Sequence, residues 1–478
     1  MPGLDPGIHD LGQCRAKGVD GRNKSGHDGM TMLNRNHFIW TVAFVIITAA
    51  LMWPAFWNGY PILFADTGGY LARPFEGTLA FGRSALYGAF LAAGMKLDFW
   101  PNVITQAALC AFVLIVVMRA HGVGRPLTIT LVAVALAVLT GLPFYATQLV
   151  PDVFVALAVL SLYLLAFRDA AIGPTTRYGL VAAIAFAVAS HMTILVLALV
   201  MLATFAILRM LPHPLPRPVL AWPASALVAG IVVALVSNFA IAGQLRFTPG
   251  GTSFLFGRLI QDGIVPRYLA EHCPDQTIRL CAYRGEMANT ADGWLWGNDT
   301  PFWKLGGPEG NANEERRIIL ETLRLYPLQH LRTALGATYE QFFMARTMTS
   351  LSAYDNHHVM ATLSQLAPEL LPRLAAARQQ REGALDLSPF NVVHLPVGFI
   401  AVALLPVIIV LGAWRRLPRE AAAFALTVLL ALVANAAISG IFSNPVDRYQ
   451  SRLLWLAPLS LVITALSCRD LGTRRELA

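Results

Sequence analysis

The chain has 478 residues, of which 56% are hydrophobic and only 13% charged, and its mean hydropathy is +0.56. A soluble domain carries roughly 25% charged residues, so a purely soluble fold is excluded and the excess apolar content must face lipid. The net charge of +8 is scattered along loops between apolar runs instead of forming one basic stripe, which excludes nucleic acid as a partner and fits cytoplasmic loops enriched in Lys and Arg.

Residues 1–31 are polar, rich in Gly and without apolar periodicity, and no h-region marks them as a secretory signal. They have the look of a translated repeat ahead of an over-long bacterial gene model, with Met30 or Met32 as the expected start. They are expected to be a non-native or disordered extension.

An N-terminal transmembrane module is expected over 32–242, with about seven spans. The first, roughly His37 to Trp57, follows Arg22, Lys24 and Arg35, which places the N-terminus in the cytoplasm. An outer loop, 58–100, leads to a second span (Val103 to Met118) ending at a basic corner with Arg119, His121 and Arg125. Spans three and four, about Leu127 to Ala146 and Val153 to Phe167, are joined outside by the TQLVPD turn. The next run, Tyr178 to Met210, has 33 residues, too many for one comfortable span. Two short helices turning near Ser190 and His191 bring Arg209, His213 and Arg217 inside, and that solution is expected. Span seven runs from about Val219 to Ala242.

An extracytoplasmic insertion, 243–389, comes next. Its aromatic cluster GWLWGNDTPFWKLGG and its helical stretch with apolar residues at spacings of three and four mark a folded, mainly helical subdomain. Pro327 is expected to break the helical stretch into two arms, the second amphipathic enough to lie along the membrane surface. A C-terminal module, 390–478, holds about three spans (Val392 to Leu411, Ala421 to Ile441, Leu453 to Leu466) and a cytoplasmic tail. The fold class expected is therefore all-α, a polytopic bundle of about ten spans in a bacterial inner membrane, with both termini cytoplasmic and the large loop periplasmic.

Of five cysteines, Cys273 and Cys281 lie together in the insertion and can oxidise to a disulfide if it is extracytoplasmic, or remain two thiols. Cys110 and Cys468 read as membrane packing residues. No Walker A loop, GxGxxG, HExxH or GxSxG stands in a credible context, so the usual nucleotide and zinc-hydrolase signatures are missing. Asn298-Asp299-Thr300 has the form of a glycosylation sequon and reads as ordinary loop.

Polar residues at the outer ends of the spans carry the chemical signal. Asp66, in FADTGGYLARPFEG, is followed by two glycines that allow a tight turn and close approach to a ligand; it reads as a general base or as a helix N-cap. Asp152, opening the fourth span on the same outer face, reads as a second acid for acid/base chemistry or as a cap after Pro151. His191, at the turn of the short helical pair, is a titratable donor or a structural histidine. Near the C-terminus, NPVDRYQSRLLW sets Arg448, Tyr449 and Arg452 on the outer side, against the positive-inside tendency. Arginine forks suit a phosphate or diphosphate head group, and lipid head-group anchoring is the other reading. Arg83 in FGRSALYGAF and Arg258 in FGRLIQDG are weaker candidates of the same kind.

This layout resembles the glycosyltransferase C superfamily, which includes protein O-mannosyltransferases and bacterial aminoarabinose transferases. The resemblance lies in the first-loop run Asp66-Thr67-Gly68-Gly69-Tyr70, Arg83 and an apolar helical pair. It extends to Pro151-Asp152, the YPLQHL segment and an Arg-Tyr opening the last span, and it covers most of 37–470. It implies a catalytic acid at Asp66, with Asp152 as the second catalytic candidate. Tyr70, Arg83, His191, Arg258, Arg448, Tyr449 and Arg452 become substrate-binding candidates. It also implies a polyprenyl-phosphate-linked sugar donor, a lipid or glycan acceptor in the cell envelope, and contact with membrane lipid. Thr-Gly-Gly stands where the commoner pattern has a second acid after the first, so a divalent metal is possible but not indicated. A transporter or flippase for envelope precursors is a second reading, and a non-catalytic polymer-assembly protein a third.

Overall fold

The computed structural model describes the backbone from Ser25 to Glu476, except 349–350 and 355–357, and the side chains from His37 to Cys468. Residues 1–24 of the expected extension lie outside this range. The chain divides after Val42 into one short unit and one compact unit from Ala43 onward, and the contacts and the site described below lie in the second.

The described residues form an all-α protein without a strand, save for three isolated bridges, Ile62–Gln148, Ala80–Arg83 and Ser352–Ala384. In hydrocarbon every backbone N–H and C=O must find a partner within its own segment, so apolar runs of this length have one solution, the helix. Among the described residues six helices are long and apolar enough to cross a membrane: Trp100–Ala120, Met192–Met210, Ala221–Ala242, Ser388–Ala413, Arg419–Phe442 and Asp447–Cys468. Four shorter apolar helices, His37–Leu51, Ala85–Leu97, Pro126–Leu139 and Val153–Phe167, accompany them. The chain is thus a multi-pass helical membrane protein.

In chain order the helices used below are α1 (Ser25–Leu51), α2 (Thr67–Leu71), α3 (Ala85–Gly94), α4 (Trp100–Ala120), α5 (Pro126–Leu139), α6 (Leu142–Thr147) and α7 (Val153–Phe167). Then come α8 (Pro174–Ser190), α9 (Met192–Met210) and α10 (Ala221–Ala242). The insertion contributes α11 (Gly251–Gln261), α12 (Gly307–Leu325) and α13 (Pro327–Phe343), and the C-terminal part α14 (Ser388–Ala413), α15 (Arg419–Phe442) and α16 (Asp447–Leu454).

Two breaks set the backbone around the site. The expected third span, Leu127 to Ala146, is interrupted: Thr140 is extended at φ −140°, ψ 166°, and Pro143, which has no N–H to give, enters the first turn of α6. The stretch Tyr178 to Met210 is two helices parted at His191, whose backbone is extended at φ −154°, ψ 121°. Its ring Nδ1 accepts from the Thr193 N–H at 3.2 Å, satisfying one of the orphan donors at the start of α9.

Small residues let helices approach. A Cβ on Gly230 of α10 would stand 2.7 Å from Val188 Cβ in α8, and one on Gly440 of α15 would stand 2.5 Å from the Ala337 carbonyl in α13. The insertion has a hydrophobic core of its own, in which Phe256, Ile264, Trp294, Phe302 and Ile318 are fully buried. Phe81 of the first loop enters this core, stacked on Phe254 with ring centroids 4.4 Å apart. Cys273 and Cys281 are joined by a disulfide, Cα to Cα 5.5 Å. Tyr326 separates α12 from α13, as Pro327 requires. The second arm buries Ala337 and Gln341 and exposes Leu328, Leu331, Leu335, Tyr339 and Phe343.

Candidate functional site

Two loops that carry acids are stitched together by main-chain hydrogen bonds. Ile62 N–H donates to the Thr147 carbonyl at 3.0 Å, and Leu149 N–H donates to the Ile62 carbonyl at 2.9 Å. Thr67 Oγ1 donates to the Leu149 carbonyl at 3.1 Å and accepts from Phe64 N–H at 3.0 Å. Asp66 and Asp152, 86 positions apart by subtraction of their numbers, are thereby fixed on adjoining backbone.

Buried amides hold this pair from both sides. Gln106 of α4 donates through Nε2 to the Ala146 and Gln148 carbonyls, each at 3.0 Å, and accepts from Tyr87 OH at 2.9 Å. Gln379, from the far end of the insertion, accepts from Leu63 N–H at 3.1 Å and donates to the Leu63 carbonyl at 3.0 Å. Its own N–H donates to Asn58 Oδ1 at 2.9 Å. Burying an amide is tolerable only when its donors and acceptors are met, and these are met almost entirely by the backbone of the acid-bearing loops.

Both acids stand at helix N-cap positions, yet neither makes a side-chain cap hydrogen bond. Their carboxylates turn to arginines instead, which removes capping as the account of either. Arg83 Nη2 lies 2.6 Å from Asp66 Oδ1 and Arg448 Nη1 3.3 Å from Asp66 Oδ2. Arg448 Nε lies 3.8 Å from Asp152 Oδ2, Arg452 Nη1 2.6 Å from Asp152 Oδ1, and Arg452 Nη2 donates to Asn435 Oδ1 at 3.2 Å. The result is one chain of alternating charge, Arg83, Asp66, Arg448, Asp152, Arg452.

Exposure falls along that chain. The side chains of Arg83 and Asp66 are 17% and 18% exposed, Arg448 is 13%, Asp152 3% and Arg452 0%. Burial works to raise the Asp66 carboxyl, but the guanidinium groups of Arg83 and Arg448 outweigh it and hold the acid below its ordinary value. Asp66 is therefore ionised at neutral pH.

The glycines after Asp66 serve the chain itself. A Cβ on Gly68 would meet the Val359 backbone at 2.7 Å, and one on Gly69 would meet Arg83 Nε at 3.3 Å, so Gly69 gives the arginine its route to the acid. Tyr70 and Trp296 flank that guanidinium, each ring centroid 5.7 Å from Arg83 Cζ. Tyr449 lies beneath two arginines, 5.2 Å from Arg448 Cζ and 5.1 Å from Arg452 Cζ, and Phe64 stands 4.3 Å from Arg448 Cζ. His191 is within electrostatic reach of Asp66, Asp152, Arg448 and Arg452. Arg258 has other partners, Asp262 at 2.7 Å and Asn444 at 3.4 Å.

Sequence reasoning missed the amides Gln106, Gln379 and Asn435, and also Tyr145, whose hydroxyl bonds Ser451 one turn beyond Arg448. Single neutral residues within apolar or loop sequence carry no pattern that would mark them. Among the described residues no group of three or more His, Cys, Asp or Glu side chains converges as metal ligands. The space between the two carboxylates, where a bridging cation would sit, is held by the Arg448 guanidinium.

The chain matches no protein-family model, and no curated protein and no solved structure is similar to it.

Proposed function

We propose that this is an integral membrane glycosyltransferase that moves a sugar from a polyprenyl-phosphate donor to an acceptor in the cell envelope. In this reading about ten helices span a bacterial inner membrane, the short apolar helices included, with both termini cytoplasmic and the insertion periplasmic. One observation carries the reading: three arginines meet two carboxylates, so the cluster holds one positive charge in excess, away from bulk water. Such an excess is costly unless an anion shares the site.

The donor phosphate supplies that anion. Arg83 and Arg448, the partly exposed members, turn their forks to it, while the sealed Arg452 and Asp152 hold the frame. As the phosphate draws both guanidiniums away, Asp66 loses the charges that keep its proton affinity low. It then becomes a better base at the moment the donor is bound. The acceptor hydroxyl oxygen attacks the anomeric carbon, and the bond from that carbon to the phosphate oxygen breaks. Polyprenyl phosphate leaves with the electron pair, and the hydroxyl proton passes to Asp66. The polyprenyl chain remains in lipid.

The test is transfer from a labelled polyprenyl-phosphate sugar in membrane vesicles carrying the protein, with vesicles lacking it as control. Label appearing in an envelope acceptor supports the reading. Label that crosses the bilayer still bound to its lipid supports a flippase, and no change of either kind leaves the non-catalytic assembly role.

A further inference from the structure

The short helix Ala291–Trp296 in the insertion carries two tryptophans with opposite surroundings. Trp294 is fully buried beside Phe256 and Phe302, whereas Trp296, at the end of the helix, is 47% exposed. A single exposed apolar side chain is ordinary on a protein surface. What sets Trp296 apart is its neighbour: its ring centre lies 5.7 Å from Cζ of Arg83, the guanidinium at the open end of the acid–arginine chain.

The first loop holds the indole in that place. Phe81, two residues before Arg83, packs against it with ring centroids 5.2 Å apart, and Phe254, stacked on Phe81, stands at 6.2 Å. Tyr70 flanks the same guanidinium at 5.7 Å, but it is 2% exposed and closed off by Tyr87 at 5.1 Å. Of the two rings beside Arg83, Trp296 is the one a ligand can reach. Its centre is also close to the reactive acid: 5.7 Å to Arg83 Cζ, one C–N bond of about 1.3 Å and 2.6 Å from Nη2 to Asp66 Oδ1 keep that carboxylate within about 10 Å.

With the donor phosphate on Arg83, the sugar is joined to that phosphate through a single oxygen, so its ring falls beside Trp296 and Asp66 together. The face of an indole carries negative potential, and the C–H bonds on one face of a pyranose, polarised by the ring and hydroxyl oxygens, are its positive counterpart. The hydroxyls stay at the rim of the sugar and keep their water, so an open aromatic face suffices without an enclosed cavity.

We infer that Trp296 is a stacking platform for the pyranose ring of the donor. The inference rests on the glycosyltransferase reading above. The full-length protein, purified in detergent, is titrated with two probes of one chain length, polyprenyl phosphate and polyprenyl-phosphate hexose. The hexose probe is expected to bind about fivefold tighter than the bare one, the worth of one good aromatic contact. Trp296→Leu removes that gain and leaves the bare probe unchanged, which also reports an intact Arg83. Trp296→Tyr keeps a flat ring and retains most of the gain. Trp303, also 47% exposed and packed on Phe302, is the control, and Trp303→Leu retains all of it. Equal binding of the two probes by the parent, a full gain in Trp296→Leu, or an equal loss in Trp303→Leu would overturn the assignment. So would weakened binding of the bare probe by both Trp296 variants, since the ring would then merely support Arg83. Failure of the parent to bind even bare polyprenyl phosphate removes the donor-phosphate reading, and this assignment falls with it.

Discussion

Asp152→Asn deletes the charge on which a fully buried guanidinium depends. Arg452 is 0% exposed and gives its Nη1 to Asp152 at 2.6 Å; its Nη2 donates to a neutral amide, Asn435, at 3.2 Å, the Tyr449 ring lies 5.1 Å from its Cζ, and its Nε has no hydrogen-bond partner among the described residues. Removing one member of a buried ion pair costs about 3–5 kcal/mol, because the remaining charge stays out of water. The asparagine oxygen at 152 can still accept one bond from Arg452, so the low end, about 3 kcal/mol, is expected. Asp66→Asn is the matched comparison: Asp66 is 18% exposed and its partners Arg83 and Arg448 are 17% and 13% exposed, so solvent partly screens the charge left behind and the loss is expected to be smaller than at Asp152. The assay is thermal unfolding of detergent-solubilised protein, read as the fraction remaining soluble after heating. Asp152→Asn is expected to lower the midpoint by about 3 °C and Asp66→Asn by less. Equal midpoints, or the reverse order, would refute the division of the cluster into a sealed frame and an open reactive end.

Gln379→Ala removes the hydrogen bonds at Leu63 that fix the loop before Asp66; transfer is expected to fall roughly tenfold, and a rate within twofold of the parent would mean that the clamp does not position the acid. Glu315, fully buried in α12 with a 2.7 Å hydrogen bond from Ser253, has its carboxyl pushed up to about 7 by burial, against about 4.3 in an unfolded chain. The proton is held more tightly in the folded state, so stability is full below about pH 4 and is lost as pH rises through 7, by roughly 3 kcal/mol. Thermal midpoints at pH 5 and pH 8 should therefore differ in the parent and coincide in Glu315→Gln; an unchanged pH dependence would contradict this. Reporter fusions at Arg125, Arg217 and Arg416 are expected to report cytoplasm, and those at Gly251 and Ser443 the opposite side. An outside signal at Arg217 would mean that Tyr178 to Met210 crosses once.

Runs of apolar residues made the spanning helices legible, since lipid leaves an apolar segment no alternative to the helix. The breaks at His191 and Pro327 were legible for local reasons, one of length and one of a missing donor. The break at Thr140 was passed over although Gly141 and Pro143 in LAVLTGLPFY signal it, and there the chain turns to bring Thr147 beside Ile62. In the site, charge in an apolar chain is conspicuous, so Asp66, Asp152, Arg448 and Arg452 stood out singly. Their mutual pairing did not, because it depends on contacts across hundreds of residues, such as Gln379 to Leu63 at a separation of 316. Arg83 and Arg258 share the same Phe-Gly-Arg context, yet only Arg83 reaches an acid of the cluster. Arg258 lies one helical turn before Asp262 and pairs with it.

In the proposed sugar transfer Asp66 is the reactive acid. The rate of transfer from a labelled polyprenyl-phosphate sugar, measured in vesicles with matched amounts of inserted protein, tests it most directly. Asp66→Asn keeps the size and hydrogen bonding of the side chain but removes its proton-accepting charge, and is expected to lower the rate by about 10² to 10⁴ with expression and insertion unchanged. Near-parental turnover by Asp66→Asn, with activity abolished in Asp152→Asn protein that still inserts and folds, would contradict the claim and move the chemistry to the start of α7.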